Sequence, residues 1–337
     1  MISDPVELKS PCARALVYRT AALFSNVGFR LPSGRWVEPF AKPPWPDHLD
    51  PEIPGHLRRL GGEFFCLPFG GGGATRDPLP GWEALAAGPV DVPMHGPSAN
   101  ADWDILEARS DCAILALDYP ETSPVRRIER QMSLAPDRPE ARVTVWIEAR
   151  RPARLPAAFH PILRLPEKPG ALAIEASFAC GFTYPGIIEP DRMATEPGRR
   201  FQALAEVPRR LGGYIDLSRL PLGPPTEDVV LLAGMAGPVR AVFIDEGFEL
   251  EIDWSREALP HCMLWIHDRG LDDKPWSGRY RGLGVEPLAA AFDGPVSLSA
   301  GPNPLAGEGF STALIVAPDQ PSEISLTLRV KEAPNRK

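Results

Sequence analysis

The sequence predicts an all-β fold, a large sandwich, on three observations. Short apolar runs, several alternating with polar residues at a period of two, recur along the whole chain; turn residues separate them; and helical periodicity is almost absent. The 41 prolines and 30 glycines are scattered between these runs rather than gathered in one low-complexity block, which is the punctuation of many short strands.

Taken in order, residues 15–24 and 35–40 read as strands around the turn Pro32-Ser33-Gly34. Prolines crowd residues 41–54 too closely for regular structure, so this is a surface loop, and His48 and His56 in or beside it read as exposed. GEFFCLPF, residues 62–69, reads as a buried strand running into four glycines, 70–73. No Lys-Ser/Thr follows and no helix opens, so the glycines are a flexible loop and not a phosphate cradle. A short helical turn is expected at 82–87, then strands at 103–108, 112–119 and 142–150. In the last of these Val143, Val145 and Ile147 alternate with polar residues, and Trp146 falls on the polar side. An aromatic there packs under a loop or lies on a concave face where a sugar ring stacks.

Residues 157–165 and 171–176 continue the strands. The Pro-rich stretch 181–211, with a weakly helical piece at 201–207, is the best internal boundary by composition. Strands follow at 229–233, 240–245, 248–254, 262–267, 283–286, 312–317 and 323–330. AVFIDEGFELEIDW is a hairpin closed by Glu246-Gly247, with Phe248, Leu250, Ile252 and Trp254 inward. Because the strands beyond 211 look like continuation of one sheet system, residues 1–337 are expected to form a single domain.

A chain of 337 residues with net charge −8 has no electrostatic case for a nucleic-acid groove. The opening MISDPVELKS lacks the basic start and apolar core of a signal peptide, and no run reaches membrane-spanning length. A soluble, cytoplasmic protein with no membrane or nucleic-acid partner is expected. Five cysteines, Cys12, Cys66, Cys112, Cys180 and Cys262, odd in number and without a CxxC pair, read as small buried residues in a reducing compartment. His261, His267 and Asp268 make no convincing metal set, since residues six apart on a strand are roughly 20 Å from one another. No metal or cofactor is expected.

Chemistry centres on WSGRYRGLGVEP, residues 276–287. It sets Glu286 at the end of an apolar run, where poor solvation raises a carboxyl toward neutral pH and suits it to take and return a proton. Gly282 and Gly284 are expected to let the strand pass close to a ligand, and Pro287 to end it with the carboxylate at the rim. His95, before Gly96-Pro97, sits on a turn; His160, before Pro161, sits in extended backbone at a strand edge. Either histidine alone reads as structural. Together with Glu286, a carboxylate base facing an imidazole acid across a sugar-sized gap fits proton shuttling at an acetal-like centre.

The order HG on a turn, FHPILRL followed by PEKPGALAIE, and LGVEP near the C-terminus resembles the aldose 1-epimerase (galactose mutarotase) family. ALFSNVGFRLPSGRWVEPF and GEGFSTALIVAP resemble its opening and closing strands, so the likeness covers nearly the whole chain. It implies a large antiparallel β-supersandwich and mutarotation of an aldose. Glu286 would take the proton of the anomeric hydroxyl, His160 would protonate the ring oxygen, and His95 would hold the ring oxygen or a neighbouring hydroxyl. Asp228 resembles the aspartate that binds sugar hydroxyls, although Val229 replaces the family's next histidine.

The family arginine expected after CLPF is missing, leaving Arg76 as a stand-in if its loop folds back. Arg76, Arg279 and Arg281 are the available donors for a sugar phosphate, and a neutral aldose is preferred. A hexose-phosphate mutarotase and a non-catalytic carbohydrate-binding protein on the same scaffold are the alternatives. A glycosidase or lyase lacks an evident second acid beside Glu286. The expected partner is a small-molecule carbohydrate, and the expected assembly a monomer or homodimer.

Overall fold

The computed structural model describes residues 5–45, 53, 55–72, 75–86 and 93–333. Two antiparallel sheets make up most of it. One has eight strands, in the order Arg200–Phe201, Phe178–Thr183, Thr226–Met235, His261–Asp268, Arg281–Ala289, Ala157–Phe159 and Phe65–Cys66, with Ile162–Arg164 also paired to Arg281–Ala289. The other has nine, running from Arg219–Leu220 through Leu172–Glu175, Val239–Phe243, Phe248–Trp254, Ser322–Glu332, Glu140–Ala149, Val125–Leu134 and Cys112–Asp118 to Asp104–Ala108.

The inward residues of both sheets share one apolar core. Val230, Leu264, Ile266, Leu283 and Val285 come from the first sheet; Ile128, Val143, Val145, Leu250 and Leu326 come from the second. A four-stranded sheet, Val6–Lys9 to Trp36–Val37, packs onto the same core through Leu8, Phe29 and Val37. The all-β sandwich expected from the alternation is therefore the fold observed. Because side chains alternate along a strand, the opposite face of the eight-stranded sheet carries a second cluster, with Val229, Leu231, Met263 and Leu288 among its members. That far face holds the candidate site.

Several expected elements differ in ways that have a physical cause. Residues 62–69 do not form one strand: Gly61 and Gly62 take positive φ, Gly62 and Glu63 make only isolated bridges, and the strand proper is Phe65–Cys66. Val125–Leu134 is a ten-residue strand that the alternation hides, since a register shift between Val125 and Arg127 breaks the period. Arg130 breaks it again by pointing inward, fully buried, to pair with buried Glu63. The glycine run is held in place where it is described: Gly71 N–H donates to Asp293 O (2.9 Å), and a Cβ on Gly70 would lie 2.2 Å from Gly294 O. Gly73 and His48 lie outside the described residues. His56 is buried at 2% exposure, contrary to its expected place on the surface, because the short 3₁₀ helix Gly55–Arg59 folds inward against Asn100.

Pro287 does not end its strand, which runs on to Ala289, and Glu286 is mid-strand and 1% exposed, away from any rim. The sheet accommodates the proline because its neighbour is interrupted at that point. Ala157–Phe159 and Ile162–Arg164 pair with the Glu286 strand on either side of His160-Pro161, and Val285 N–H donates to Pro161 O (2.9 Å). Residues two apart on a strand aim their N–H groups the same way, so the donor Pro287 lacks would have faced the break at His160.

All five cysteines are free thiols, four buried and Cys12 half-buried. Among the described residues no helix is long and apolar enough to cross a membrane.

Candidate active site

The interruption that admits Pro287 also delivers His160. Its N–H, out of the ladder with the Glu286 strand, donates to Phe64 O (2.9 Å), and its ring stacks on Phe64 with centroids 4.6 Å apart. Nε2 then lies 3.4 Å from Glu286 Oε1, on side chains exposed by only 6% and 1%. The expected sugar-sized gap between acid and base is absent; they are direct neighbours. A ring cannot stand between them, so a substrate has to meet both from one side. That suits a centre whose two reacting oxygens share one carbon, because geminal oxygens lie closer together than a hydrogen-bonded pair.

Gly284 makes this geometry possible. A Cβ there would fall 2.3 Å from Glu286 Oε1 and 3.1 Å from Trp265 Cβ, so the missing side chain makes room for the carboxylate. Gly282 does the same for the Tyr280 ring, 2.8 Å from its would-be Cβ. The two glycines serve the site's own side chains.

His95 occupies a left-handed turn, φ +63°, followed by Gly96 at φ +75°, where a Cβ would lie 2.3 Å from Leu67 O. Its N–H donates to Gly70 O (2.8 Å), Nδ1 accepts from Gly70 N–H (3.5 Å), and its ring stacks on Phe69 (4.9 Å). An amide N–H can only donate, so neutral His95 keeps its proton on Nε2. The ring is 5.3 Å from that of His160.

Among the described residues neither Glu286 oxygen receives a hydrogen bond, and His160 Nδ1 has no partner. A carboxylate without donors and an imidazolium without an acceptor are both costly in a dry site. Burial accordingly pushes the Glu286 carboxyl well above the usual carboxylate range, and the charge of Asp293 adds to this. Burial lowers His160 to about 3, helped by His56, and holds His95 well below the ordinary histidine value.

Several residues complete the site that the sequence did not mark. Glu227 faces it from Thr226–Met235, its Oε1 accepting from Trp265 Nε1–H (2.7 Å) and its Oε2 lying 2.5 Å from His267 Nδ1. Trp265 is half-buried, with its ring 6.1 Å from that of His160 and 5.9 Å from that of half-buried Trp276. Asp293 Oδ1 accepts from Tyr184 O–H (2.9 Å), whose oxygen is 2.8 Å from Thr75 Oγ1. Burial raises the Asp293 carboxyl, and the charge of Glu227 raises it further. A second and a third acid thus stand near Glu286. Among the described residues none of the three pairs with an arginine or lysine. The one available signal for Asp293 is its place in FDG, directly after the Glu286 strand.

Other expected site residues are placed elsewhere. Asp228 is fully buried on the opposite side of its strand from Glu227, where its carboxylate accepts from Ala194 N, Thr195 N, Thr195 Oγ1 and Val229 N at 2.8–2.9 Å. Its acceptor capacity is spent on these donors at 194, 195 and 229, although burial still raises its carboxyl to about 6. Trp146 lies on the outer face of the nine-stranded sheet, opposite the core residues Val145 and Ile147, and donates to Glu323 Oε2 (3.1 Å). Both sheets therefore separate it from Glu286. Arg76 is exposed, its backbone paired with Ile187; Arg279 is exposed; and Arg281 is held by Asp268 and Glu167, each at 2.7 Å. Among the described residues no three His, Cys, Asp or Glu side chains are arranged to hold a metal ion.

No protein-family model and no curated protein matches the chain. Solved structures do. The chain is similar to an aldose epimerase homologue from C. elegans (TM-score 0.63, 13% identity, covering 98% of this chain and 100% of that one). It is also similar to galactose mutarotase-like proteins from Clostridium acetobutylicum (0.62, 12%, 97% and 94%) and Lactobacillus casei (0.59, 13%, 97% and 99%). At such identities the likeness establishes the fold, a galactose mutarotase-like β-sandwich spanning nearly the full length of each chain.

Proposed function

We propose that this protein is an aldose 1-epimerase, interconverting the α and β anomers of an unphosphorylated aldose by acid–base ring opening and reclosure. The contact between Glu286 and His160 carries the reading: a buried acid and a buried imidazole, 3.4 Å apart, with polar atoms that no group among the described residues satisfies.

The pair holds one proton in common. In the buried resting site it sits on Glu286 with His160 neutral, since that form separates no charge. A sugar brings hydroxyl donors to the carboxylate, which favours transfer of the proton across the contact to His160. Glu286 then takes the proton of the anomeric hydroxyl as the C1=O1 double bond forms. The C1–O5 bond breaks, and the imidazolium delivers its proton to O5. The aldehyde turns about C1–C2, and closure on its other face reverses both transfers, regenerating the carboxylate–imidazolium pair, which returns its proton to Glu286 as the sugar leaves. Each general acid or base step of this kind contributes about 10²–10⁴-fold. His95 Nε2–H is a donor for the ring oxygen or an adjacent hydroxyl. The half-buried indoles of Trp265 and Trp276 supply an apolar surface on which a sugar ring can stack. Three carboxyl groups with no paired arginine or lysine among the described residues favour a neutral sugar over a phosphate ester.

The test is polarimetry of freshly dissolved α-glucose and α-galactose. Protein should speed the approach to equilibrium, and Glu286→Gln should remove the effect. No acceleration across a panel of aldoses and sugar phosphates sinks the reading; calorimetric sugar binding without acceleration would leave a binding protein.

A further inference from the structure

His56 sits one ring beyond His95 in the chain of side chains that starts at Glu286. Its centroid is 5.3 Å from that of His95 and 5.2 Å from that of Phe64. The approach is built into the backbone, because a Cβ on Gly55 would lie 2.5 Å from Asn100 O. Asn100 fixes the protonation of the ring. Its Nδ2 donates to Met94 O (2.8 Å) and Gly96 O (2.7 Å), the carbonyls on either side of His95, so its Oδ1 is the remaining atom and can only accept. His56 Nδ1, 3.3 Å from that oxygen, must therefore be the donor, so the ring, which burial keeps neutral although the Ala99 backbone also accepts from it, carries its lone pair on Nε2. The same amide clamps the His95 turn and orients His56, so the two rings are set as one unit with opposite tautomers: a donor at His95 Nε2 and an acceptor at His56 Nε2.

Resting on the sugar-site reading above, we propose that His56 is a third substrate-binding histidine, whose Nε2 accepts a hydrogen bond from a sugar hydroxyl further round the ring than those reached by Glu286, His160 and His95. The fixed acceptor would discriminate between aldoses by whether a hydroxyl is present and correctly oriented there.

The experiment measures polarimetric kcat and KM for wild type, His56→Phe and His56→Gln over a set of monodeoxy-aldoses, with ¹⁵N NMR of the wild-type histidines. His56→Phe should raise KM roughly threefold to tenfold, the worth of one neutral hydrogen bond, with kcat within about twofold. His56→Gln, which offers an acceptor at a similar reach, should recover most of the loss. One deoxy-aldose should show equal KM with wild type and His56→Phe, and the ¹⁵N shifts should place the His56 proton on Nδ1. Wild-type acceleration with a KM indifferent to His56 for every sugar, or a proton on Nε2, overturns the proposal and leaves the mutarotase reading intact. No wild-type acceleration of any aldose overturns both.

Discussion

Glu286 Oε1 and His160 Nε2 lie 3.4 Å apart, and among the described residues no hydrogen-bond donor reaches either oxygen of the carboxyl. The site is thus assembled around a buried acid that no donor among the described residues satisfies, an arrangement that costs stability and suits a group that meets a ligand. Removing the acid should separate the two effects. Glu286→Gln should lower kcat by about 10²–10⁴-fold, while urea unfolding shows no loss of stability. A variant both unstable and inactive would count against a purely chemical role.

Gly284→Ala probes the same carboxyl without touching it. The new methyl would sit 2.3 Å from Glu286 Oε1, so the side chain has to move out of its contact with His160. We expect at least a tenfold fall in kcat, with an overpacking cost of about 1–3 kcal/mol in thermal or urea denaturation.

Trp146 and Trp265 should behave oppositely. Trp146→Ala removes one hydrogen bond on the far sheet and should leave KM unchanged. Trp265→Ala removes a ring beside His160 and the donor to Glu227, and should raise KM at least fivefold, as polarimetry over a range of sugar concentrations would show.

Asp228→Asn should act on stability. Four donors converge on the carboxylate, and an amide presents an NH₂ group to some of them, for a cost of about 2–3 kcal/mol measured by urea unfolding. The KM of the folded fraction should be unchanged. Glu227→Gln, one residue away and facing the site, should change KM.

His261 offers a pH test away from Glu286. Nδ1 accepts from Gly234 N–H and Nε2 lies 2.9 Å from Ser311 O, and burial lowers the ring from 6.5 to about 4. The unfolded chain therefore binds a proton below pH 6.5 that the folded chain refuses, so this residue's contribution is complete above 6.5 and is lost as pH falls toward 4. Relative to His261→Gln, wild type should lose about 1.4 kcal/mol per pH unit across that window, measured by urea unfolding at pH 7, 6 and 5. A constant difference would show that His261 is not held neutral.

The sequence by itself determined the all-β sandwich, because alternation at a period of two is a one-dimensional record of which side of a sheet is buried. The hairpin around Glu246-Gly247 could be read for the same reason. Local chemistry made His95, His160 and Glu286 only weak candidates one by one, and it was their occurrence together, in an order that resembles the aldose 1-epimerase family, that singled them out. Only the tertiary structure decided which face of a doubly buried strand meets the site. Both sides of Thr226–Met235 are apolar, so nothing in TEDVVLL distinguishes Glu227 from Asp228, and the fold chose Glu227. It likewise put Trp146 behind two sheets, turned Arg130 inward where its charge suggested solvent, and brought His56 under His95 from a loop whose prolines suggested the surface. Each of these depends on what packs across from a residue, and that partner is set by the closure of the sheets, far away in sequence.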